Sequence, residues 1–111
     1  MGFWHNVNTL DLQDFRPGIR SKAEFGEKLI MAFMEIGPAR EDPGHQHPFE
    51  QCGIVTEGKI EMFIGAERRI LEPMDAYLIP SEVSHGWKTF DTPVKILDIS
   101  IKPEGSANLP S

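Results

Sequence analysis

Cysteine, basic runs and long apolar stretches are what this 111-residue chain has least of. Its single cysteine, Cys52, has no partner for an internal disulfide. No apolar segment approaches the about 20 residues a membrane span needs, and Met1 to Leu10 lacks the charged start and apolar run of a signal peptide. These absences point to a reducing cytoplasm. Positive charge is also scarce: eleven Lys and Arg stand against seventeen Asp and Glu, a net charge of -6. Such a surface repels a phosphate backbone, so neither nucleic acid nor a membrane is the expected partner. Uninterrupted segments are short as well, because nine prolines and ten glycines recur along the chain. That spacing argues against long helices.

What remains is close to the globular average, with 40% hydrophobic and 25% charged residues, in a length suited to one domain. Strands are expected at Ile19 to Phe25, Lys28 to Ile36, Gln51 to Thr56, Lys59 to Ile64, Arg69 to Leu71, Ala76 to Ile79 and Val94 to Ile101. Several alternate in character, as in Lys59-Ile60-Glu61-Met62-Phe63-Ile64, with one face buried and the other wet. Gly26-Glu27, Glu57-Gly58 and Gly65-Ala66 sit where hairpin turns would fall. Seven or so short strands with regular turns suggest an all-β sandwich or barrel. Asp11 to Phe15 is the one stretch suited to a helical turn. The expected organisation is one barrel over residues 1–111: an N-terminal arm at 1–16, a core at about 17–103 and a flexible tail at 104–111 rich in Pro, Gly, Ser and Asn.

Three of the four histidines fall in two short clusters, His45-Gln46-His47 and Ser84-His85-Gly86. Residues two apart on an extended chain project from one face with Cα atoms roughly 6.5 to 7 Å apart. Two such imidazoles can converge on one ion at about 2.0 to 2.1 Å. His85 lies forty residues from His45, so only a closed β fold would return it to the pair. Asp98, in Val94-Lys95-Ile96-Leu97-Asp98-Ile99-Ser100, is an acid within an otherwise apolar strand. A carboxylate there must be partnered or face a polar cavity, which makes it the candidate general base; an outward-facing charge at an edge is the other reading. Phe33, Met34, Met31, Met62, Phe63 and Trp87 could line a pocket, although core packing accounts for most residues of this kind. Tyr77 and Glu24 could supply polar groups.

The run Gly44-His45-Gln46-His47-Pro48-Phe49-Glu50-Gln51, which leads through six residues to Gly58, together with Pro80 five residues before His85, resembles the two signature motifs of the cupin superfamily. The likeness spans Ala39 to Trp87. It implies a double-stranded β-helix, or jelly-roll, barrel with His45, His47, Gln51 and His85 binding one divalent metal ion. Glu50 is the alternative fourth ligand, and the six-residue count to Gly58 selects Gln51. Two departures stand out: Gln51 replaces the more usual Glu, and Met74 and Glu82 stand where the second motif has glycines. Three neutral imidazoles and an amide leave an ion's charge uncompensated, which favours holding an anionic substrate over redox chemistry. Ni, Zn, Mn, Fe and Co all suit such a ligand set.

Within the superfamily the chain is most similar to small single-domain cupins of pectin degradation that linearise 4,5-unsaturated uronic acids. In that group the metal holds the sugar, and an aspartate matching Asp98 assists proton transfer. Ser100 stands where the group has an aromatic residue, and Glu104 where it has an arginine. The resemblance implies a metal-dependent lyase, isomerase or hydratase acting on a small anionic molecule. An iron-dependent dioxygenase and a non-catalytic small-molecule-binding module are the alternatives. A homodimer with N-terminal strands paired or exchanged is also expected, since an open barrel edge needs cover.

Overall fold

A computed structural model describes residues 4–102. Its regular structure is ten strands: β1 (Gln13–Arg16), β2 (Ile19–Phe25), β3 (Leu29–Ile36), β4 (Glu41–His45), β5 (Gln51–Glu57), β6 (Ile60–Ile64), β7 (Glu67–Leu71), β8 (Ala76–Ile79), β9 (His85–Thr89) and β10 (Val94–Ile101). They form a six-stranded sheet, β1-β2-β3-β10-β5-β8, and a four-stranded sheet, β4-β9-β6-β7. All pairings are antiparallel. Two such sheets packed face to face are the expected jelly roll.

Three strands have no counterpart in the sequence reading. β1 replaces the helical turn proposed for Asp11 to Phe15, because Gln13 and Asp14 pair with Ser21 and Arg20 of β2. Cross-strand pairing outweighs the weak local preference of so short a segment. The barrel's sheet therefore begins within the segment expected to be an arm. β4 and β9 carry Pro, Gly and His in place of an alternating apolar pattern, and they pair with each other. The flexible tail expected at 104–111 lies outside the described residues. No helix of the described residues is long and apolar enough to cross a membrane.

The core lies between the sheets, where Ile36, Val55, Ile60, Ile79 and Val94 are almost fully buried. At about 25 cal/mol per Å² of apolar surface removed from water, this layer is the main favourable term in folding. β10 shows how the core gives way to a site. Its inward row runs Val94, Ile96, Asp98, Ser100, apolar at one end and polar at the other, and all four are buried. The polar end pairs with the start of β5, where Ser100 faces Gln51 and Asp98 faces Gly53.

Candidate metal centre

Backbone pairing brings the two histidine clusters together. His45 closes β4 and His85 opens β9, and the two are register partners. His47 follows in the loop before β5. That loop is tied to the turn ahead of β9 by a 2.8 Å hydrogen bond from the Glu82 backbone N–H to the His47 carbonyl. The imidazole centroids of His45, His47 and His85 lie 4.3 to 5.5 Å apart. One ligand atom from each falls within 4.8 Å of the others, a spacing at which the three could hold a metal ion.

The hydrogen bonds of the rings show which nitrogen each offers. His47 Nδ1 lies 2.9 Å from the Phe49 carbonyl, and His85 Nδ1 lies 2.9 Å from the Val83 carbonyl. A carbonyl oxygen only accepts, so both Nδ1 atoms carry the proton, and the neutral rings present a lone pair at Nε2. His45 Nδ1 sits 3.0 Å from Asp42 Oδ2. Each ring therefore has the backing acceptor typical of metal-bound histidine, which fixes its tautomer and raises its basicity. His47 is held further by stacking on Phe49, with 3.9 Å between centroids. His85 is buried, and its Nε2 has no hydrogen-bond partner in the protein. Burial, first of all, and then the neighbouring His45 and His47 lower its pKa, against the Val83 carbonyl, which raises it. The ring thus favours the neutral form that binds metal.

Gln51 lies beside the three histidines. Its amide nitrogen donates to both oxygens of Asp98, at 3.0 and 2.8 Å. That anchor turns Oε1 the other way, to 3.0 Å from His47 Nε2. A carbonyl oxygen facing an imidazole lone pair is repulsive unless a proton or a cation lies between them. Two ligands at right angles around one ion, each about 2.0 to 2.1 Å away, would be separated by about 3 Å. The donor set, the orphaned His85 Nε2 and the opposed acceptors all fit a divalent ion. Glu50, the alternative ligand, is exposed to solvent.

Asp98 faces inward at 4% exposure on a central strand, which removes the alternative of an outward charge at an edge. Burial raises its pKa, and the Tyr77 and Gln51 hydrogen bonds and the His47 charge partly offset this. The Tyr77 hydroxyl donates to Asp98 Oδ2. Gly53 makes this contact possible: Tyr77, Gly53 and Asp98 occupy one row across β8, β5 and β10. A Cβ on Gly53 would collide with the Tyr77 ring and hydroxyl. Asp98 also changes the electrostatic reading of Gln51, because it places a buried carboxylate one hydrogen bond behind the neutral amide.

The site opens into a cavity of about 400 Å³ lined by His45, His85, Gln51, Asp98 and Tyr77, together with Met34, Met62 and Trp87. Phe33, Met31 and Phe63 do not line it, and Glu24 instead bonds His5, 2.8 Å away. Asp42 was missed by the sequence reading. Its only signal is its place three residues before His45, with a Gly44 whose N–H donates to Asp42 Oδ1 at 3.0 Å.

A profile of the cupin domain matches residues 32–100, and the chain belongs to this family. Among solved structures it is similar to KdgF from a Halomonas species, with 27% identity and a TM-score of 0.81 over 93% of this chain and 96% of that one. An RmlC-like cupin from Shewanella frigidimarina, 18% identical with a TM-score of 0.79 over 95% of each chain, shares the fold. The lyase DddQ of Ruegeria pomeroyi, which acts on DMSP, is 26% identical with a TM-score of 0.66, over 74% of this chain and 42% of that one. No curated protein sequence matches the chain.

Proposed function

We propose that this cupin is a metal-dependent lyase or isomerase acting on a small carboxylate or sugar acid, with an unsaturated uronate as the leading substrate. The observation that carries the reading is the row Tyr77, Asp98, Gln51, His47, in which a buried carboxylate bridges a phenol and the fourth ligand at the wall of the cavity. The likeness to KdgF and the motif resemblance to uronate-processing cupins support the substrate class. A lyase among the similar structures supports the reaction class.

His45, His47, His85 and Gln51 would hold the ion. When bound, a divalent ion supplies Lewis-acid polarisation of a carbonyl or carboxylate oxygen. The protein's own groups do the rest. Asp98 is suited to moving a proton, since its raised pKa brings it nearer to neutral pH than an exposed carboxylate. Tyr77 orients that carboxylate through its hydroxyl, and Met34, Met62 and Trp87 supply apolar walls that limit water around it.

Turnover of 4,5-unsaturated galacturonate, followed by its ultraviolet absorbance in metal-loaded protein, tests the reading. The expected result is consumption by the wild type and its loss in His47→Ala. Equal rates in the two proteins would contradict the proposal, and oxygen uptake coupled to turnover would move the assignment to a dioxygenase.

A further inference from the structure

The cavity has one cationic wall residue, and it comes from a strand that lies outside the family motifs. Among the described residues lining it, Arg16 is the only Lys or Arg. Three features of the chain place it there. Asp14 pairs with Arg20 and Arg16 with Ile19, which leaves Phe15 as an extra residue on β1. A bulge of this kind breaks the alternation of a strand and re-aims its side chains. Neighbours in a regular strand face opposite ways, yet Phe15 and Arg16 both line the cavity. The hairpin that follows is the two-residue turn Pro17-Gly18, with Gly18 at φ 78°, the positive value that a type II turn requires at its second central residue. Finally, the Arg16 guanidinium lies 4.5 Å from the centroid of the Phe15 ring, a platform that restricts it without neutralising it.

The charge of Arg16 is also left available. Arg20, Arg68 and Arg69 pair with Glu35, Glu61 and Glu67, whereas Arg16 forms no ion pair among the described residues. The two acids lining the same cavity are engaged elsewhere, Asp42 by His45 and the Gly44 N–H, and Asp98 by Gln51 and Tyr77.

We propose that Arg16 is an anion subsite that binds a carboxylate of the substrate while the rest of the molecule reaches the histidine cluster, so that β1 determines specificity for organic acids. A guanidinium presents paired N–H donors that match a carboxylate, and such charge-assisted bonds are about twice as strong as neutral ones. The inference rests on the reading of the cavity as a site for small acids, and it does not depend on which reaction follows.

Its test is binding of D-galacturonate, D-galacturonate methyl ester and glycolate to metal-loaded wild type, Arg16→Gln and Arg16→Lys, measured by calorimetry. Arg16→Gln is expected to weaken binding of the two carboxylates about tenfold or more and to change ester binding by less than about twofold, with Arg16→Lys intermediate. Arg16-dependent binding of the acids without turnover of unsaturated galacturonate would leave the subsite standing and remove the uronate reaction. Turnover accompanied by equal affinities of wild type and Arg16→Gln would do the reverse. The subsite is overturned if neither acid binds wild type more tightly than Arg16→Gln, or if acid and ester lose affinity equally.

Discussion

Gln51 decides the character of the site at the scale of single residues. As a ligand it would bring no charge, but its amide is clamped by Asp98, so the negative charge that a Glu ligand would place on the ion would sit one hydrogen bond further out. The histidines were legible in the sequence because residue type and spacing alone identify them. The Tyr77 to Asp98 bond was not, because it depends on the register of three strands and on Gly53 having no side chain. Tyr77 is the chain's only tyrosine, so its titration can be read directly. Burial, then the Asp98 charge and the hydrogen bond to it, raise its pKa well above the usual phenol value. The folded state then holds a proton that the unfolded state releases. This contribution to stability is complete below the unfolded phenol pKa and declines as pH rises beyond it. Phenolate absorbance is therefore expected to stay low through the normal phenol range and to rise only on alkaline unfolding. Ordinary titration in the folded protein would show that the hydroxyl is not buried against Asp98.

The strands that build the barrel by alternation, such as β6 and β10, were readable as elements, whereas β4 and β9 were not. Their sequences, Glu-Asp-Pro-Gly-His and His-Gly-Trp-Lys-Thr, serve ligand placement and close approach more than burial, so the periodic signal is missing. The turns on either side of β8 carry a second trade. Met74 and Glu82, standing where the second motif has glycines, keep positive φ values of 76° and 66°. The left-handed conformation costs an L residue about 1 to 2 kcal/mol, part of which glycine would return as extra freedom of the unfolded chain. Hydrogen bonds hold both turns in place, from the Met74 N–H to the Val55 carbonyl at 2.7 Å and from the Glu82 N–H to the His47 carbonyl at 2.8 Å. Met74→Gly and Glu82→Gly are each expected to stabilise the protein by about 0.5 to 1 kcal/mol in denaturant unfolding. Destabilisation by both would mean that these side chains make contacts outweighing the strain.

For the whole molecule, closure of two sheets around one cavity was foreseeable from short strands and the two motifs. The N-terminal strand pairs with β2 and forms an edge of the larger sheet, so its outer side is where the pairing expected with a second copy would occur. A row of apolar side chains also lies on the outside of the larger sheet. There Leu78 and Leu29 are 61% and 53% exposed, and Ile99, Cys52 and Leu78 follow one another across β10, β5 and β8. Apolar side chains gathered on one face mark an association surface more often than scattered ones do. A homodimer covering this face is expected, and Leu78→Glu should shift the mass in solution toward the monomer while leaving metal content unchanged. A wild type that is monomeric at high concentration would contradict it.

The proposed reaction turns on one claim, that His45, His47, His85 and Gln51 hold a divalent ion. Elemental analysis of protein purified without added metal, alongside His85→Ala prepared identically, tests it most directly. About one transition-metal ion per wild-type chain and a marked loss in His85→Ala is the predicted result; a metal-free wild type that also fails to bind added Ni, Zn, Mn, Fe or Co, or equal metal in both proteins, would contradict it.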